Sequence, residues 1–89
     1  MSIYDYIAKW DPMGLIQSGY PKDEYRSEAF EIIFQYRTSM TEADVAELVH
    51  RVFVERLELD PKGFKEQTLE RSGELKRILE QEAEKSDFQ

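Results

Sequence analysis

Residues 40–57 constrain this chain more than any other stretch. Thr41 and Asp44 stand three apart, the spacing at which a hydroxyl caps the N3 amide and a carboxylate bonds back to the N-cap amide. Met40 and Val45 occupy the two hydrophobic-staple positions around that pair. Val45, Leu48, Val49, Val52, Phe53 and Leu57 then recur at the intervals of a single helical face. A helix from about 41 to 58 with one buried stripe follows. Val49, Val52 and Phe53 are expected to be almost wholly buried, and the rest of the chain must supply the surface that covers them.

That surface has to come mainly from upstream. Residues 1–59 hold 29 of the 36 apolar residues, so the core is expected over 2–59, with 60–85 a polar helical segment and 86–89 a frayed tail. Ser2 and Asp5 resemble a cap, and Ile3, Tyr6, Ile7 and Trp10 share one face of a first helix over 2–10. Two prolines and two glycines make residues 11–22 a long loop. Asp23 and Glu24 place acids at the start of a second helix, roughly 23–37, with Asp23 as its N-cap. Tyr25, Ala29, Phe30, Ile32, Ile33, Phe34 and Tyr36 cover more than one stripe, which marks this helix as the central one.

Phe64 and Leu69 indicate a fourth helix, bent or broken at Ser72-Gly73 before Leu75, Ile78, Leu79 and Ala83 resume a stripe. The pattern D-P-x-G occurs at 11–14 and at 60–63 and reads as a type I turn or a helix opening in each case. An 89-residue chain of this kind is one domain, 1–89. It is expected to be all-α, a small bundle of four to five short helices, crossed (orthogonal) rather than regularly up-down.

Composition removes most chemistries. The chain has no cysteine and one histidine, which excludes disulfides, thiol catalysis and any site needing two imidazoles. Nineteen acidic residues against 12 basic give a net charge of −7, spread along the chain without a basic patch. Nucleic-acid binding is therefore not expected. Neither a membrane-spanning run nor the basic start of a signal peptide is present, and a cytoplasmic location is expected.

Glu47 and His50 have the Glu-x-x-His spacing of carboxylate-bridged metal sites, but such sites need a second copy, and both residues face away from the apolar stripe. The sequence offers no Gly-x-Ser-x-Gly elbow and no glycine-rich phosphate loop. No catalytic, cofactor-binding or metal-ligating residue is assigned, and the chain reads as a non-enzyme.

The segment from Trp10 to Tyr25 is the candidate partner site. Trp10, Asp11, Tyr20, Asp23, Glu24 and Tyr25 combine amphipathic rings and carboxylates around a long loop. A structural role competes, in which Trp10 and Tyr25 pack the loop onto the core, and for Trp10 it is preferred. The leading functional reading is an acidic helical protein that binds an unidentified protein as an adaptor, inhibitor or immunity-type factor. One alternative is a homodimer formed through Leu75, Ile78 and Leu79, although a monomer is favoured. Another is a small-ligand binder or enzyme using the loop carboxylates Asp11, Asp23, Glu24 and Glu28.

Trp10-Asp11-Pro12-Met13-Gly14, then Asp23-Glu24-Tyr25 and Glu28-Ala29, then a helix ending near Val52-Phe53, resemble a family of small bacterial proteins. It is the domain-of-unknown-function family numbered eighteen seventy-one. The resemblance covers roughly residues 5–58. It implies a compact all-helical fold and a family without assigned activity, so it carries no catalytic residue across.

Overall fold

In the computed structural model, residues 2–21, 23–58 and 60–85 are described. They form five helices: α1 (Ile3–Trp10), α2 (Arg26–Gln35), α3 (Glu42–Leu57), α4 (Phe64–Glu70) and α5 (Ser72–Lys85). No strand occurs among the described residues. The protein is all-α, and the apolar runs at 30–35 and 48–54 are helical. The tail at 86–89 lies outside the described residues.

The centre of the fold is α3, which packs against α2, α4 and α5. Its start is fixed locally. Thr41 Oγ1 accepts the Asp44 amide at 3.1 Å, and Asp44 Oδ2 accepts the Thr41 amide at 3.0 Å, so both halves of the capping box are made. Its stripe is then covered from Val45 to Phe53, where Val45, Leu48, Val49, Val52 and Phe53 are each at most 2% exposed, while Leu57 at its end is partly buried. The rings of Tyr25 and Phe64 meet Phe53 edge-on, with centroids 5.7 and 5.8 Å away. Leu75, Ile78 and Leu79 of α5 are buried in the same core, so the C-terminal stripe docks within the chain. At α1, Ser2 Oγ accepts the Asp5 amide at 3.1 Å, the cap read from the sequence.

Five local expectations are corrected. The second helix begins at Arg26, not at 23, and Asp23 is not its N-cap. Tyr25 holds that position without a side-chain cap, while the Asp23 carbonyl accepts the Arg26 amide at 3.0 Å. Tyr25 is drawn into the core at 2% exposure, so the chain turns there before it can coil. Nor is α2 the central helix. It packs chiefly against α1 and α3, which cover Ala29 and Ile32 but leave Phe30 60% and Phe34 68% exposed.

In the fourth helix, Thr68 rather than Leu69 joins Phe64 in the core, because i+4 lies on the same face and i+5 does not. The break before α5 falls at Arg71, leaving Gly73 inside the helix. Of the two D-P-x-G turns, the first closes as expected, with the Gly14 amide donating to the Asp11 carbonyl at 3.0 Å. The second is shifted by one residue. The Phe64 amide donates to the Pro61 carbonyl, and Gly63 takes the left-handed third position (φ 84°, ψ −3°) of a type II turn.

Candidate interaction surface

Asp11 and Tyr25 join the two halves of the sequence-predicted site. Asp11 ends α1 in the left-handed conformation (φ 51°), with its amide donating to the Ile7 carbonyl at 2.8 Å. Asp11 Oδ1 accepts the Tyr25 hydroxyl at 2.5 Å and the Ile16 amide at 3.1 Å, and Oδ2 accepts the Gln17 amide at 2.9 Å. The Tyr25 oxygen in turn accepts the amides of Met13 and Leu15, at 3.1 and 3.3 Å. Two side chains thus satisfy four amides of the loop, which holds it in one conformation from within.

The same contacts set the titration of both groups. Burial, and then the bond to Asp11, push the Tyr25 hydroxyl up to about 12. Burial alone would raise Asp11, but the bonds from Tyr25, Gln17 and Ile16 outweigh it and hold the carboxyl below its ordinary value. A general acid at neutral pH needs a shift in the other direction.

The remaining candidates separate. Trp10 lies away from the loop, stacked on Phe64 at 5.9 Å, with its Nε1 donating to Gln67 Oε1 at 3.3 Å and the Arg71 guanidinium 4.9 Å from its ring. Tyr20 is 51% exposed, Glu24 is half-buried and Asp23 is exposed. Asp23 and Tyr25 line a cleft of about 700 Å³ between α1 and the start of α2, whose apolar lining is Tyr4, Ala8 and Ile16. Glu28 is buried in the core, and its Oε1 has no hydrogen-bond partner.

The most exposed apolar feature was not singled out in the sequence. Phe30 and Phe34 stand one turn apart on the outer face of α2, continuing from Arg26 at the mouth of the cleft. The Arg26 guanidinium sits 5.6 Å over the Tyr4 ring, and Arg37 donates to the carbonyls of Phe34 and Tyr36 at 3.1 and 2.9 Å. Neither arginine is ion-paired among the described residues. On the opposite flank Arg56 pairs with Glu31 at 2.8 Å and Arg51 donates to Gln35 at 2.9 Å. Placing Ala29, Ile32 and Tyr36 on one face of a helical wheel would have set Phe30 and Phe34 on another, and that separation was the available signal.

Glu47 and His50 do not converge on a ligand. Glu47 is exposed, while His50 stacks on Phe64 at 5.3 Å and bonds through Nε2 to Asp60 Oδ1 at 3.1 Å. No described helix is long and apolar enough to cross a membrane. No family model, curated protein or solved structure matches this chain. What this surface offers is contact area and charge: two exposed rings, two unpaired guanidinium groups and an apolar cleft beside them.

Proposed function

We propose that this is a cytoplasmic protein that works by binding another protein, in an adaptor, inhibitor or immunity-type role, through the outer face of α2. The observation that carries the reading is the exposed Phe30–Phe34 pair. Adjacent aromatic rings left in water by an otherwise well-covered core are the kind of patch that partners cover. Arg26 opens α2 and Arg37 lies just beyond its end, bonded to the Phe34 carbonyl, and neither has a carboxylate partner among the described residues. They suit a partner that sets acidic groups around an apolar anchor. The homodimer alternative loses its first candidate surface, since Leu75, Ile78 and Leu79 are used inside the chain.

The resemblance to the domain-of-unknown-function family belongs to the same proposal. Its two short elements, Trp10–Gly14 and Asp23–Tyr25, are the segments that the Asp11–Tyr25 hydrogen bond ties together.

The test pairs the native chain with a Phe30→Ser, Phe34→Ser double variant of unchanged melting temperature. Proteins retained from the native cell by the first and lost by the second support the reading. The same set retained by both overturns it. A mass that doubles with concentration in sedimentation, and does so only for the native chain, would assign the face to a second copy instead.

A further inference from the structure

A second cleft, of about 480 Å³, lies between α1 and α5 and uses no residue of α2. Its lining concentrates positive charge in an acidic protein. Lys9, Arg71 and Arg77 face it, and Glu74 is the one carboxylate lining it among the described residues. These side chains give the described lining three cations against one carboxylate, within a chain of net charge −7. The three ion pairs among the described residues are His50–Asp60, Arg56–Glu31 and Lys76–Glu80. None of them occupies a cation of this cleft.

Arg71 is held in place without being neutralised. Its Nη1 donates to the Tyr6 hydroxyl at 3.0 Å, and its guanidinium lies 4.9 Å from the Trp10 ring centroid and 5.7 Å from that of Tyr6. Trp10 is itself fixed, stacked on Phe64 and bonded to Gln67. The Tyr6 hydroxyl donates onward to Glu74 Oε1 at 3.0 Å, so Arg71 and Glu74 are linked through a phenol rather than paired directly. Among the described residues the bond to Tyr6 is the one its side chain makes, which leaves most of the five-donor guanidinium fork unused. A fork fixed beforehand loses little freedom when an oxyanion arrives.

We propose that the α1–α5 cleft is an oxyanion site that takes the phosphoryl group of a phosphomonoester, gripped by Arg71 with Lys9 and Arg77 adding charge. A phosphomonoester carries a charge of roughly −1.5 to −2 near neutral pH, which matches the cleft better than one carboxylate does. Its three terminal oxygens also suit a planar fork with two further cations. The ester can be a small molecule or a phosphorylated side chain of a peptide, and the chemistry of the site is the same for both.

Trp10 is the only tryptophan in the chain and lines this cleft, so its fluorescence reports occupancy directly. The experiment titrates the intact protein with phenyl phosphate, glycerol phosphate, a phosphotyrosine peptide and its unphosphorylated form, at fixed ionic strength. Amide chemical shifts are followed in parallel. A saturable response to the phosphorylated probes is expected, with shifts concentrated at Lys9, Trp10 and residues 71–81. Lys9→Gln and Arg77→Gln, both at exposed positions, should each weaken binding several-fold without changing the melting temperature.

Arg71→Lys keeps the charge but loses the fork, and should weaken binding more than either. Tight binding of the phosphopeptide alone assigns the source to a protein side chain, and equal binding of the small esters assigns it to a metabolite. The proposal is overturned if no probe gives a saturable response. Unchanged binding in the Lys9 and Arg77 variants overturns it too, as does an unphosphorylated peptide that binds as well as its phosphorylated form.

Discussion

Helices α2 and α3 are similar in apolar content and opposite in outcome. In α3 most of the large apolar residues fall on one stripe, and α2, α4 and α5 close over it until nothing in Val45–Phe53 of that stripe exceeds 2% exposure. In α2 they fall on two faces, and α1 and α3 cover only the one that carries Ala29 and Ile32. Apolar count states how much a helix is able to bury. The number of neighbours decides how much it does bury, and the remainder becomes surface that a partner can use.

The largest test of this contrast sets one phenylalanine against another. Phe53→Ala should cost about 3–5 kcal/mol, because it empties a site closed on all sides. Phe34→Ala should change stability by no more than about 0.5 kcal/mol, as expected of a surface position. Urea unfolding of both variants measures the difference directly. Comparable losses would mean that α2 is packed on both faces and that the contrast is false.

A second test asks whether the Asp11–Tyr25 pair gives the loop the pH response of a core. The Tyr25 hydroxyl is raised from 10.0 to about 12, so its contribution is fully present below pH 10 and is lost as pH rises through about 12. Asp11 is lowered from 3.8, so its contribution is present above that value and is lost as pH falls through the lower folded one. Tyr25→Phe should therefore flatten the alkaline limb of the stability profile, and Asp11→Asn the acid limb. The flattening at high pH will be partial, since burial raises Tyr6 and Tyr36 as well. Limbs unchanged in both variants would show that the pair contributes nothing to folding.

The smallest expected effect concerns the start of α2. A side-chain N-cap is worth about 1 kcal/mol, whereas Asp23 offers the helix only its backbone carbonyl. Asp23→Ala should then shift stability by less than about 0.5 kcal/mol. A loss near the full capping value in urea unfolding would restore Asp23 as a cap and move the helix start back toward it.

Much of the fold was legible because the signals were local. Thr41 and Asp44, or Ser2 and Asp5, lie within one turn of each other, and the groups they satisfy are the amides of that same turn. The stripe of α3 was legible because a single face with one period leaves one way to bury it. The candidate site was legible only in part. Asp11 and Tyr25 were placed in the same segment, but Trp10 belongs to another cleft, and Phe30 and Phe34 were counted among the apolar residues that marked α2 as the central helix.

The sequence by itself determined that the chain is helical, where α1 and α3 start, which stripe of α3 is buried, and that the C-terminal third contributes a narrow apolar edge. Each of these rests on interactions between residues no more than a few positions apart, so the order of residues already contains both partners. Tertiary structure decided the rest. Tyr25 ends the turn before α2 because its ring is buried and its hydroxyl finds Asp11, 14 positions away. Arg71 is held open because Tyr6, 65 positions away, receives one of its donors. The outer face of α2 is bare because no described helix reaches it. Such partners are chosen by how the helices pack, and periodicity within one helix carries no information about which other helix will stand against it.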